Sequence, residues 1–246
     1  MRSNMDWKSI PAQTPSLGGD DLRYLKDLYD EEVDFTDLFI KKLIDALKRS
    51  PFAGNTLLII TADHGEEFKD HGQMGHGNSL YQELLHVPLL LWAPKRITPG
   101  RISTWVSTYD IAPTLAGMEP LAAAPQYAGR ALPLTEEGET ERDLFLSVQY
   151  KPKVAPQRIE AIVRRPYKFI RDFKASRAQL FNIENDPLER DNLISTQPDV
   201  ATSLRERLER SFTDLAPFNT EPQQVDHPWG DVELNRLRSI GYFAGK

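Results

Sequence analysis

The chain has 246 residues, 30 Lys and Arg against 36 Asp and Glu, a formal net charge of −6, 40% hydrophobic residues and no cysteine. That length and composition suit one large globular domain with a real core and exclude disorder throughout. The acidic balance, without a run of Lys and Arg, excludes a basic groove for nucleic acid or anionic lipid, and the missing cysteines exclude disulfides, thiolate metal sites and cysteine nucleophiles.

In chain order, residues 1–19 read as an irregular lead-in with Pro11, Pro15 and Gly18-Gly19. Over 20–49, Leu22, Leu25, Tyr29, Val33, Ile40, Leu43, Ile44 and Leu47 keep helical spacing, with Asp20 or Asp21 available as N-cap. Ser50-Pro51 stops this amphipathic helix. The apolar run 56–61 follows, in the form expected of a strand buried on both faces of a parallel sheet. Residues 79–85 suit a short helix, 87–92 a second buried strand and 102–107 a third, and a capped helix start is expected at Thr108-Tyr109-Asp110. Residues 117–140 lack periodicity and read as a surface segment.

Beyond residue 140 the pattern changes to short strand-like runs at 144–150, 159–164, 167–172 and 179–183, which predict an antiparallel sheet. A helix over 198–215 carries Val200, Leu204, Leu208 and Phe212 on one face, and a tail ends in a short helical segment near 234–240. The expected fold class is α/β: a mostly parallel sheet flanked by helices over 20–140, then a smaller α+β part with an antiparallel sheet over 141–246. The longest apolar stretch, 87–93, is far short of the roughly 20 residues of a membrane helix. Residues 1–7 lack the apolar core of a secretory signal, so the cytoplasm is the default expectation, with no membrane and no nucleic acid as partner.

Chemistry concentrates in the stretch from Thr61-Ala62-Asp63-His64-Gly65-Glu66 to Gly75-His76-Gly77-Asn78-Ser79. It begins where a buried strand ends, and that end of an open α/β sheet is where ligands bind. Asp63 and His64 are a carboxylate and an imidazole side by side, a ligand pair for Mn²⁺, Zn²⁺ or Fe²⁺, with Ca²⁺ admissible if other oxygens complete the shell. The plain alternative is a turn in which Asp63 caps backbone and His64 is solvated. His76 can hold an anionic oxygen, and Gly65, Gly72, Gly75 and Gly77 let backbone approach a ligand closely. For His71, a hydrogen-bonded loop histidine is as good a reading as an active one. Glu66, Glu67 and Asp70 read as solvated or supporting groups, and Asp110 as a helix cap.

The run from Asn55 to Glu66, then Gly75-His76-Gly77, Ser79-Leu80-Tyr81 and His86-Val87-Pro88-Leu89, resembles the sulfatase family of the alkaline-phosphatase superfamily. So do Ser107-Thr108-Tyr109-Asp110-Ile111-Ala112-Pro113-Thr114, Leu180-Phe181-Asn182-Ile183 with Asp186-Pro187, and the closing Leu237-Arg238-Ser239-Ile240-Gly241-Tyr242. The resemblance covers residues 20–245 and corresponds to the family's C-terminal portion. It implies that Asp63 and His64 are metal ligands and that His76 touches the sulfate or phosphate of a small ester substrate as a catalytic and substrate-binding residue. Many relatives carry Asn at the position of His64, and the His form looks more like the branch with phosphonate monoester hydrolases, phosphodiesterases and some sulfatases.

The family's nucleophile lies in a Cys/Ser-x-Pro-x-Arg motif, and its other metal aspartates follow an N-terminal buried strand. Here Ser9-Ile10-Pro11-Ala12-Gln13 carries Gln in place of Arg, and Asp20-Asp21 opens a helix instead of ending a strand. The chain therefore reads as the C-terminal portion of a sulfate, phosphate or phosphonate ester hydrolase, inactive alone. It implies a divalent ion (Mn, Zn or Ca) as cofactor and a missing N-terminal sulfatase portion as partner. Homo-oligomerisation is expected if the uncovered apolar faces meet. The alternative is a non-catalytic binding or regulatory module that kept the fold.

Overall fold

The structure, a computed structural model, describes residues 17–118, 129–133, 141–150 and 157–214. The chain divides into two compact units, Met1–Leu208 and Glu209–Lys246, and of the second only helical residues 209–214 are described. The expected helix near 234–240 lies outside the described residues, as does most of 117–140.

Helix α1 spans Gly19–Arg49. Its N-cap is Gly18, in place of the expected Asp20 or Asp21. Asp21 instead turns back so that its Oδ2 accepts the Gly18 N–H at 2.9 Å. Acidic Asp20 and Asp21 at the start and basic Lys48 and Arg49 at the end suit the helix dipole. Ser50 closes the helix, both its N–H and its hydroxyl donating to the Leu47 carbonyl. Of this long helix only Leu25 is buried; it clusters with Phe68 and Met74, while Val33, Phe35, Leu38, Phe39 and Leu43 are exposed.

Strand β1 (Leu58–Thr61) leads into the site loop, which carries the short strands β2 (Glu67–Phe68) and β3 (Met74–Gly75) and helix α2 (Gln82–Leu85) before β4 (Leu89–Trp92) returns. β1 and β4 pair antiparallel, Leu58 opposite Trp92 and Thr61 opposite Leu89. The expectation of a parallel sheet is therefore not met among the described residues, where every ladder is antiparallel. The strands are also only half-buried, with Leu90 56% exposed. A continuous apolar run is suited to cover on both faces, and the described residues supply part of it.

The third expected strand, 102–107, is irregular chain. Ile102 is exposed, while Trp105 packs on the edge of the main core, under the Arg165 guanidinium at 5.4 Å. The predicted helix start is found. Ser107 caps a 3-10 turn (Thr108–Asp110) that runs into α3 (Ile111–Met118), and Asp110 returns the bond by accepting the Ser107 N–H at 2.8 Å. Asp110 is buried and also takes both guanidinium nitrogens of Arg142, at 2.7 and 3.1 Å.

The four runs after residue 140 form an antiparallel meander: β5 (Leu144–Tyr150), β6 (Gln157–Arg164), β7 (Tyr167–Asp172) and β8 (Arg177–Asn182). Alternation places Ile159, Ala161 and Val163 on one face, where they join Ile170, Phe181, Leu80 and Tyr81 in the main core. On the other face Ile162, Phe169 and Leu180 lie opposite one another across β6, β7 and β8, all three buried. Helix α4 (Pro198–Asp214) buries Ala201, Leu204 and Leu208, and Arg207 reaches Asp143 at 3.1 Å. Leu80 and Tyr81 belong to the site loop, so the meander's core also anchors that loop.

Candidate active site

The site begins where β1 ends. Asp63 is exposed and its Oδ1 accepts the His64 N–H at 3.0 Å, which turns the two side chains together. His64 Nε2 stands 3.8 Å from Asp63 Oδ2. His64 Nδ1 lies 2.7 Å from the Gly65 carbonyl oxygen. A carbonyl can only accept, so Nδ1 carries a proton, and in the neutral ring the lone pair is then on Nε2, the arrangement metal-ligating histidines adopt.

Gly65 is required for contact rather than for conformation. Its N–H donates to the Leu84 carbonyl at 2.9 Å, and a Cβ there would meet the Glu83 carbonyl oxygen at 1.9 Å. The glycine therefore pins the Asp63-His64 turn to helix α2. The expected close approach of glycine backbone is real, but at Gly65 it is to a neighbouring turn of this chain.

The β2–β3 hairpin builds the other wall. Glu67 lies opposite Gly75 and Phe68 opposite Met74, so one step further out Glu66 faces His76. The turn is closed by Lys69 N–H to the Gln73 carbonyl at 2.8 Å, with Gly72 in the left-handed region at φ +87°. Gly75 and Gly77, at φ +84° and +79°, flank His76 and swing it across to His64. The two imidazole centroids are 4.1 Å apart, and His76 Nδ1 is 3.1 Å from Glu66 Oε2. His64, Glu66 and His76 thus place one ligand atom each within 4.8 Å of one another. Asp63, His64 and His76 are brought to one place, and Glu66, expected to be solvated or supporting, stands among them. The register about Gly72 was the signal that pairs it with His76.

Behind these residues lies a buried polar layer. Glu67 is fully buried, its Oε1 accepting the Ser79 hydroxyl at 2.8 Å while Oε2 has no hydrogen-bond partner among the described residues. Burial raises its pKa to about 7 against the partial relief from Ser79. His71 takes the structural role: it stacks on Tyr81 at 3.6 Å and bridges Glu83 Oε1, at 2.6 Å, and the Glu189 carbonyl, at 3.1 Å. Burial presses the His71 pKa down, but the bonds to Glu83 and Glu189 outweigh it and the pKa is raised.

Glu189 and Lys168 form a wholly buried ion pair at 2.8 Å, each pushed by burial towards its neutral form and held by the other's charge. Glu189 Oε2 also accepts the Gln82 N–H at 2.6 Å, at the start of α2. Neither residue had a signal in the sequence, because a buried pair on β7 and a later loop carries no local pattern. Asp70, expected to be solvated or supporting, accepts the Phe68 N–H and pairs with Lys26 of α1 at 3.3 Å.

The sulfatase family model matches residues 8–118, and the model of the N-sulphoglucosamine sulphohydrolase C-terminal region matches 71–215, more than half of the chain. The chain is 27% identical over 190 residues to arylsulfatase K of Xenopus laevis, covering 72% of this chain and 35% of that protein. It is 28% identical over 164 residues to a delta 4,5-hexuronate-2-O-sulfatase of Bacteroides thetaiotaomicron, covering 63% and 34%. Among solved structures, a 2-O GAG sulfatase superposes with a TM-score of 0.72 at 20% identity, over 85% of this chain and 50% of that one. The chain thus spans about a third of the length of these curated relatives. It has the α/β fold of alkaline-phosphatase-like sulfatases and belongs to the sulfatase family, of which it carries a C-terminal portion.

Proposed function

We propose that this chain supplies one part of the active site of a metal-dependent sulfate, phosphate or phosphonate ester hydrolase and is inactive alone. The observation that carries the reading is the convergence of Asp63, His64 and His76 at the end of β1. The donor set fits a divalent ion such as Ca²⁺, Mn²⁺ or Zn²⁺, with Asp63 and the Nε2 of His64 as the residues that would hold it. When bound, the ion polarises the ester's sulfuryl or phosphoryl oxygens.

The chain's own contribution is orientation. Asp63 turns His64, the Gly65 carbonyl fixes the His64 tautomer, and Gly75 and Gly77 aim His76 where it would donate to an equatorial oxygen of the substrate anion and offset its developing charge. The two donors assigned to the ion are fewer than the three protein ligands of a catalytic zinc site. With no cysteine and no Cys/Ser-x-Pro-x-Arg motif in the chain, the nucleophile and the remaining ligands fall to an N-terminal sulfatase portion, in the same or another chain.

The exposed apolar face of α1 and the half-buried β1–β4 pair agree with cover by that portion. On this reading the division near residue 140 separates the site-bearing layer from the meander that braces it. The test is to read the coding sequence upstream of Met1 for a buried strand ending in Asp followed by the nucleophile motif, then to express the joined protein. Turnover of an aryl sulfate or a phosphodiester is expected, with Asp63→Ala and His64→Ala abolishing it and His76→Ala raising KM. An upstream region without that motif supports instead the binding or regulatory module.

A further inference from the structure

The geometry points to a transition-metal site of a different make-up from the one above: Zn²⁺ held by His64, Glu66 and His76, a three-donor clasp that takes His76 away from the substrate anion. The inhibitory consequence, the loss of His76 to the ion, rests on the hydrolase reading; the site itself rests on the geometry of the β1 turn and the hairpin. Three observations carry it. The three side chains place one ligand atom each within 4.8 Å of one another. The Gly65 carbonyl engages Nδ1 of His64, which leaves Nε2 as the atom free to ligate. The β2–β3 register and the two positive-φ glycines hold Glu66 and His76 to one side of His64, so the donors are gathered by backbone.

Two imidazoles and one carboxylate form the ligand set of catalytic zinc sites, with ligand bonds of about 2.0–2.2 Å and hence donor separations of about 3.4 Å in a tetrahedron. Closing from 4.8 Å to that value falls to the side chains, and those of His64 and His76 are 41% and 55% exposed, with solvent to turn into. Glu66, whose Oε2 lies 3.1 Å from His76 Nδ1, would change from that partner to the ion. The set is suited to borderline ions and unsuited to Ca²⁺, which asks for six or more oxygens. Asp63 lies outside this cluster.

The experiment is calorimetric titration of the chain with Zn²⁺, with Ca²⁺ as the contrasting ion, on wild type and on Glu66→Gln, His76→Ala and Asp63→Asn. Alongside it, the imidazole nitrogens of ¹⁵N-histidine-labelled wild type are followed by NMR, a readout independent of any variant's folding. Expected are one Zn²⁺ per chain and shifts at the Nε2 of His64 and at a ring nitrogen of His76. Glu66→Gln and His76→Ala should weaken Zn²⁺ by roughly tenfold or more, and by more than Asp63→Asn does. Zn²⁺ binding lost in Asp63→Asn but kept in Glu66→Gln and His76→Ala would overturn this inference and leave the hydrolase reading standing. The absence of Zn²⁺-dependent shifts at His76 would overturn it as well. Zn²⁺ binding as expected, with no turnover by the joined protein, would instead defeat the hydrolase reading and leave the clasp.

Discussion

Replacing Glu67 by Gln isolates the electrostatic cost of the buried layer under the site. The carboxyl is fully buried, keeps one hydrogen bond, from Ser79, and has a pKa of about 7 against 4.5 for an unperturbed glutamate. The folded state therefore binds this proton more tightly than the unfolded chain. Its contribution to stability is complete below about pH 4.5 and is lost as pH rises through about 7. Raising the pKa from 4.5 to about 7, at about 1.4 kcal/mol per tenfold change in proton affinity, corresponds to roughly 3 kcal/mol between mildly acidic and mildly alkaline solution.

Gln keeps the acceptor for Ser79 and never ionises. The assay is urea unfolding of both proteins, followed by far-UV circular dichroism at several values between about pH 4.5 and pH 8.5, where the difference between the two curves cancels every other titrating group. The variant should gain about 3 kcal/mol on wild type across that span. Parallel curves, with a difference that does not change with pH, would refute the assignment of a destabilising charge to Glu67.

Three further outcomes follow from the same contacts. Lys168→Met leaves Glu189 buried without its partner and should cost about 3–5 kcal/mol in urea unfolding, with part of the loss recovered in the double variant Lys168→Met/Glu189→Gln. Gly65→Ala drives a methyl into the Glu83 carbonyl and should cost about 1–3 kcal/mol, together with weaker Zn²⁺ binding as the His64 turn moves off α2. Arg142→Ala strips Asp110 of both guanidinium bonds. Burial pushes the Asp110 pKa up, but Arg142 and two backbone N–H groups hold it below 3.8, so its contribution is present above that value and lost as pH falls. The variant should be about 3 kcal/mol less stable near neutral pH and should lose less than wild type on acidification.

The elements with a strong period were legible from residues alone. Helix α1 and α4 follow their apolar spacing, and the four strands of the meander follow alternation with turn residues between. The Ser107 to Asp110 helix start is a local signal, and it is where the sequence put it. Pairing direction was not legible: the Leu58–Thr61 run says that a strand is apolar, and nothing in four apolar residues says whether its neighbour runs with it or against it.

Residues 102–107 carry strand-like composition but pack Trp105 against the edge of the core without a ladder, a tertiary outcome that local composition does not encode. At the site, the Asp63-His64 turn and the bend at Gly65 were readable because they occupy consecutive positions. Glu66 required the register of a hairpin whose strands are two residues each. Lys168 and Glu189 meet only through the tertiary fold.

The proposal that Asp63, His64 and His76 form one part of a hydrolytic site completed by an N-terminal sulfatase portion is decided by aryl-sulfate turnover of the purified chain, saturated in turn with Ca²⁺ and Mn²⁺, against the same chain joined to that portion. No turnover is expected from the chain alone, and turnover that Asp63→Ala and His64→Ala abolish is expected from the joined protein. Turnover by the chain alone, lost in those same two variants, would show that the chain completes its own site.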